Sequence, residues 1–168
     1  MSDEWARLSF MRFRPAQVEQ ITGQSPDLQR KRIERFFDFP DAFWHTGGTH
    51  RRYTWVGVQM IAVFGDVLSD LGSASIATAA LLRESPPHLT RSDVFEADFR
   101  DRPNGDLYLL RWFGSEDHQY FTTTNLADAR RLFGDHWFGR AYIYNLSGMQ
   151  RRLVANALPM LQAPPAAA

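Results

Sequence analysis

The chain has 168 residues, of which 44% are apolar and 14% aromatic, enough to fill one sizeable core or two small ones. Nineteen basic and nineteen acidic residues cancel, so an anionic partner would have to be recognised through local charge. The absence of cysteine excludes disulfides, thiolate metal sites and cysteine nucleophiles. Neither a signal peptide nor an 18-residue apolar run is evident, so we expect a cytoplasmic protein that does not enter a membrane.

Two short helices joined by a tight turn are predicted near the N-terminus. Residues Pro15 to Thr22 begin with a proline suited to the first helical position and carry apolar residues three apart. Ser25 is a good N-cap for a second helix that starts at Pro26 and ends near Phe37 or Asp38. The connecting turn has the length used by a helix-turn-helix, although an ordinary helical hairpin has the same spacing.

A hairpin and a longer helix follow. The glycine pair Gly47-Gly48 suits a hairpin tip, which makes THRRYT at 49–54 the returning strand. Thr54 is an N-cap for an amphipathic helix from Trp55 to about Asp70. A fourth helix is predicted from Ser73 or Ser75 until Pro86-Pro87 stops it.

The second half changes to alternating strands. The turn signal Pro103-Asn104-Gly105-Asp106 predicts a hairpin between the strands on either side of it. The predicted elements are strands Val94–Arg100, Leu107–Phe113 and Gln119–Thr123, a helix Asn125–Phe133, a strand Ala141–Leu146, and a helix capped by Ser147 that runs to about Leu161 with a break or kink at Pro159. This order favours a small antiparallel sheet with helices on one face.

The order of the first elements resembles the DNA-binding domain of the MerR family of bacterial transcription regulators, a winged helix-turn-helix. The matching segments are RPAQVEQITGQSPDLQR at 14–30 and GGTHRRYTWVGVQMIAVFGDVLSDLG at 47–72. The Ser-Pro-x-x-Gln-Arg pattern is similar to MerR-like proteins of proteobacterial genomes and prophages. The resemblance implies a dimer that binds an inverted repeat and distorts the promoter.

Three departures from that family bear on mechanism. Pro86-Pro87 falls where the family's dimerisation helix would run, and the cysteines of its metal sensors are missing. Lys31-Arg32 stands where many members have an aromatic pair. We therefore expect no metal sensing by that route and a different means of dimerisation.

The predicted fold class is α+β: an N-terminal winged helix-turn-helix, mainly α with a β wing, followed by a small antiparallel-sheet α/β domain. The predicted divisions are a DNA-binding domain at 10–84, a linker at 85–92, a domain for dimerisation or sensing at 93–161, and a disordered tail at 162–168.

The predicted DNA interface has two parts. The first part consists of residues in and around the helix-turn-helix: Arg14, Ser25, Asp27, Gln29, Arg30, Lys31, Arg32 and Arg35. Gln29 and Arg30 are predicted to read adenine and guanine, and Asp27 to accept a hydrogen bond from cytosine. Some of the residues Lys31, Arg32 and Arg35 are predicted to meet phosphates or to pair with Glu34. Arg14, just ahead of the first helix, is also predicted to meet the DNA backbone.

The second part is the wing, with His50, Arg51, Arg52, Tyr53 and Thr54. By resemblance its basic residues would touch phosphates or the minor groove, while Tyr53 packs the wing against the helices and Thr54 caps the next helix. Between residues 10 and 60 there are eight basic and five acidic residues, so binding should depend strongly on salt. A solvated helix face and a charge-protected hairpin edge explain the same residues without DNA.

Other chemistry has little support. His45 and His50 have no further metal ligands nearby in sequence, and Glu116-Asp117-His118 and Asp135-His136 accompany no nucleophile motif. We therefore predict no enzyme activity, catalytic residue, metal or cofactor. The aromatic residues of the second half favour a core or dimer surface over an effector pocket, and no effector is identified.

The sequence thus predicts a transcription regulator that binds double-stranded DNA specifically, located at the nucleoid, and a homodimer through its C-terminal domain. Two alternatives remain open: an architectural factor in phage recombination or packaging, and a ligand- or protein-binding module whose helix-turn-helix is structural.

Overall fold

The computed structural model describes residues 3–36, 45–46, 51–71, 97–101, 103, 105–113, 120–123 and 140–162. The helices of this part of the chain are α1 (Asp3–Phe10), α2 (Pro15–Thr22), α3 (Pro26–Phe36), α4 (Trp55–Leu71) and α5 (Leu146–Gln162). Its strands are β1 (His45–Thr46), β2 (Arg52–Tyr53), β3 (Tyr108–Phe113), β4 (Tyr120–Thr123) and β5 (Arg140–Asn145).

The two short helices predicted on either side of a tight turn, α2 and α3, are confirmed. Helix α2 ends at Gly23, whose φ of 74° lies in the left-handed region that glycine adopts without strain, and its N–H donates to Glu19 O at 2.7 Å. Helix α3 then begins after Ser25, whose Oγ accepts from Leu28 N–H at 3.4 Å. Both helices begin with a proline at their first position.

Helix α4 also begins where the sequence predicted. Thr54 Oγ1 accepts from the Gly57 N–H at 3.1 Å, and Thr54 O accepts from the Val58 N–H at 3.0 Å. Most of the helix is buried, so α4 forms the centre of the core. Four features of the sequence lie outside the described residues: the predicted fourth helix, Pro86-Pro87, the predicted helix at 125–133 and the tail after 162.

Helix α1 was not predicted, and it completes the core. Trp5 and Leu8 are fully buried, and Trp5 meets Trp55 edge to face, with 5.8 Å between ring centroids. Helix α1 packs against α4 and α5, and Arg7 Nη2 donates to Leu161 O at 2.7 Å. The two ends of the described chain therefore lie together.

Helix α5 packs against α1, α2 and α4. Asn145, not the predicted Ser147, caps it: Asn145 Oδ1 accepts from the Gly148 N–H at 2.6 Å. Ser147 is buried within the helix, where its Oγ accepts from the Leu107 N–H at 2.8 Å. Of the predicted break or kink at Pro159, the break is wrong, since the helix continues to Gln162.

The predicted fold class is wrong, because the chain is mostly helical. Strands β3, β4 and β5 are four to six residues long and pair antiparallel with β3 in the middle. The helices, up to 17 residues long, supply most of the buried apolar residues, so a small antiparallel-sheet α/β domain does not describe the second half. Leu107 and Tyr144 join the same core as α1, α2 and α4.

The hairpin predicted around residues 103–106 is wrong as well. Residues 97–100, expected at the end of a strand, form a bend and a turn, and β3 pairs instead with β4 and β5. Buried Gln150 holds this segment: its Oε1 accepts from Phe99 N–H at 2.7 Å, and its Nε2 donates to Ala97 O at 3.0 Å.

No helix within the described residues is long and apolar enough to cross a membrane.

Candidate nucleic-acid interface

A short backbone bridge connects the wing to the helix-turn-helix. Phe13 and Tyr53 exchange two N–H to carbonyl hydrogen bonds of 2.9 Å, in antiparallel orientation, while β2 pairs with β1 on its other side. Phe13 and Tyr53 are both buried. The start of α2 and the base of the wing therefore occupy one fixed relative position.

This bridge places Arg14 and Arg52 at adjoining positions of the backbone. In an antiparallel pair the residue after Phe13 lies beside the residue before Tyr53, and side chains alternate between faces. Phe13 and Tyr53 are buried, whereas Arg14 is exposed and Arg52 half-buried. Like charges at adjoining positions destabilise a strand pair. We call these two residues the arginine pair.

The N-terminus of α2 adds to this positive region. Arg14 directly precedes α2, and its backbone N–H donates to Gln17 Oε1 at 2.8 Å. The N-terminus of a helix carries a partial positive charge from its aligned peptide dipoles. Arg14 therefore lies beside a second source of positive potential.

The outward face of α3 carries Asp27, Arg30 and Lys31, all exposed. Asp27 Oδ1 accepts from Arg30 Nη2 at 2.8 Å, and Asp27 Oδ2 accepts from Lys31 Nζ at 2.8 Å. Hydrogen bonds and charge from Lys31 and Arg30 lower the pKa of Asp27. Both carboxylate oxygens are thus already engaged by cations of the same helix.

Gln29 does not belong to this face, and the prediction that it is exposed and reads adenine is wrong. Its side chain is fully buried, and Nε2 donates to Pro15 O at 3.0 Å and to Gln24 O at 2.6 Å. At about 100° per residue, position 29 lies about 160° around the helix from position 31. Gln29 therefore holds α3 against the start of α2 and the turn.

The wing residues divide into packing and exposed groups. Tyr53 packs in the core as predicted, and burial raises the pKa of its phenol, partly offset by the nearby Arg51 guanidinium. Arg51 is half-buried. Thr54, like Ser25, uses its hydroxyl to cap a helix, which accounts for both residues without a ligand.

Several residues of the predicted interface lie wholly or partly outside the described residues. Arg32 and Arg35 lie in α3, but their side chains are outside the described residues, as is all of His50. The acid-histidine pairs at 116–118 and 135–136 also lie outside. In the part of the chain that is described, no group of three or more histidine, aspartate or glutamate residues could hold a metal ion.

Two relationships were missed at the sequence level. The i, i+3 and i, i+4 spacing of Asp27 to Arg30 and Lys31 was a readable signal for the ion pairs. The arginine pair had no local signal, because it depends on a backbone bridge between positions 13 and 53.

Compared with known proteins, the chain matches no family model and no curated protein sequence. The resemblance to MerR regulators therefore stays a prediction.

Proposed function

We propose that the protein binds double-stranded DNA sequence-specifically as a transcription regulator, with α3 as the recognition helix and the arginine pair as a phosphate contact. The observation that carries the proposal is the Phe13–Tyr53 bridge, which places Arg14 and Arg52 at adjoining backbone positions at the start of α2. A helix that reads bases needs such phosphate contacts to fix its register on the duplex.

The division of α3 into two faces supports the same proposal. Its inner face is held by Gln29, while Arg30 and Lys31 lie on the exposed face. Arginine can donate bidentately to guanine in the major groove, and lysine contacts phosphate as a point charge. We infer that Arg30 contributes to base reading and that Lys31 contributes to the backbone contact.

Selection of bound sequences from random duplex DNA tests this function. We expect one enriched motif, and for Arg14→Ala and Arg52→Ala a similar loss of affinity on every duplex, with a shallower dependence on salt. Arg151→Ala is the matched control, since it removes the same charge from a guanidinium paired with Asp106. Failure to enrich any motif, or equal effects of all three substitutions, would contradict the proposal.

A further inference from the structure

Asp27 joins two basic side chains that lie on the outward face of α3. Its two ion pairs of 2.8 Å each use a different carboxylate oxygen, so Arg30 and Lys31 are held on either side of one carboxylate. We propose that Asp27 is a specificity-determining positioning residue, which orients Arg30 for base reading and reduces binding to unrelated DNA. This inference rests on the proposed function.

Stability does not account for this arrangement. The side chains of Asp27, Arg30 and Lys31 are 56%, 57% and 65% exposed, and ion pairs at such exposure contribute little to folding. An acid in the first turn interacts favourably with the helix dipole, but any single carboxylate would do so. The shared carboxylate has a further effect, since it restricts the directions in which both cations extend.

An arginine can hold a carboxylate and contact a base at the same time. The ion pair to Asp27 runs through Nη2, and an arginine side chain has five N–H donors in a fixed planar fork. An arginine already held on one side loses less conformational freedom when it meets guanine. Asp27 therefore favours a base contact at the position that Arg30 reaches.

The carboxylate also acts against binding in the wrong register. On unrelated DNA, contacts with phosphates supply most of the affinity, and a carboxylate on the contact face is repelled by them. At the specific site the base contact compensates for this repulsion, whereas elsewhere nothing does. Asp27 thus lowers affinity for unrelated DNA more than affinity for the target.

The test compares affinities for two duplexes, the sequence recovered by selection and a shuffled version of it. Asp27→Asn keeps the size of the side chain and removes its charge. We expect the ratio of the two affinities to fall about fivefold or more, the lower range of what one bidentate base contact contributes. Glu19→Gln, which removes an exposed acid from α2, is the matched control and should leave the ratio unchanged.

A double-mutant cycle identifies Arg30 as the group through which Asp27 acts. In an Arg30→Ala background, Asp27→Asn should change the ratio little, because the residue it positions is gone. If Asp27→Asn raises both affinities equally, as a general charge effect would, the inference is overturned. An unchanged thermal unfolding midpoint for Asp27→Asn shows that α3 remains intact, and Asp27→Ser provides a second variant with a helix-compatible polar side chain.

The outcomes separate this inference from the proposed function. If the wild-type protein prefers its selected duplex and Asp27→Asn keeps the same preference, the inference fails while the function stands. If the wild-type protein has no preference for any duplex, the proposed function fails, and the inference fails with it.

Discussion

Gln150 donates from Nε2 to Oε1 of Gln59 at 2.9 Å, and both amides are buried in the helical core. Gln59 lies on α4 and Gln150 on α5, so this hydrogen bond joins two helices that are distant in sequence. Because Gln150 also binds the backbone of residues 97 and 99, it connects the centre of the core to a segment without regular structure.

Gln150→Leu should therefore be strongly destabilising. The substitution removes the partner of one buried and two partly buried polar groups. A buried group left without a partner costs about 1–3 kcal/mol and a partly buried one less, so we expect the free energy of unfolding to fall by about 3 kcal/mol. Urea denaturation followed by circular dichroism measures this change. Gln20→Leu, at an exposed position of α2, should change it by less than about 0.5 kcal/mol. Equal effects at both positions would contradict the role of the buried amide.

Two tyrosines on β5 offer a matched comparison. Tyr144 is buried, and its hydroxyl donates to Asp66 Oδ2 at 2.6 Å, whereas the Tyr142 hydroxyl donates to Asp70 Oδ2 at 2.6 Å at the surface. Burial and the neighbouring aspartates raise the pKa of both phenols, so both remain protonated donors at neutral pH. Tyr144→Phe should cost about 1–2 kcal/mol and Tyr142→Phe less, because water can replace the surface bond. The reverse order in thermal or urea unfolding would refute this.

Gln29 and Arg30 are neighbours with opposite expected effects. Gln29→Leu removes two hydrogen bonds to the backbone of the α2 start and the turn, so we expect a loss of about 2 kcal/mol of stability. Arg30→Ala, at an exposed site, should leave stability within about 0.5 kcal/mol and weaken binding to the selected duplex. Unfolding and binding are measured on both variants under the same salt. Arg30→Ala binding as tightly as wild type would count against base reading.

The pair between Asp106 and Arg151 predicts a stability loss in acid. Hydrogen bonds from Arg151, and then from Asn145, lower the pKa of Asp106 from 3.8 to about 2. Because the pKa in the folded state lies below that in the unfolded state, the stabilisation is complete above about pH 4 and is lost as the pH falls towards 2. Unfolding free energy should therefore fall more steeply across this range for wild type than for Asp106→Asn. High salt should reduce the difference, since Asp106 and Arg151 are partly exposed.

Local signals predicted helices α2, α3 and α4 well. Proline at the first helical positions, the caps Ser25 and Thr54, and the glycine after α2 each act within a few residues, and α2, α3 and α4 begin where these signals occur. The apolar pattern of α3 also indicates that Gln29 lies on the inner face of the helix. It lies four and seven positions before Ile33 and Phe36, on the face that apolar residues define.

Strands β3, β4 and β5 and helix α5 also lie within two residues of their predicted bounds, and the features that were missed are those that depend on distant partners. Residues 97–100 alternate as a strand would, yet Gln150 holds them from 50 positions away. The polar N-terminus gave α1 only a weak pattern, and its helix is stabilised by the burial of Trp5 and Leu8 against α4 and α5. The arginine pair likewise follows from a bridge between segments 40 residues apart.

The hydrogen bond from Arg7 to Leu161 spans 154 positions, and Trp5 and Leu153 belong to the same core. Contacts of such long range form late, since the intervening chain must first be brought together. During synthesis on the ribosome, α1 therefore has no complete surface to pack against until α5 has left the exit tunnel. A nascent chain that stops before α5 exposes a tryptophan-containing apolar face, which is the type of surface that chaperones bind and proteases attack.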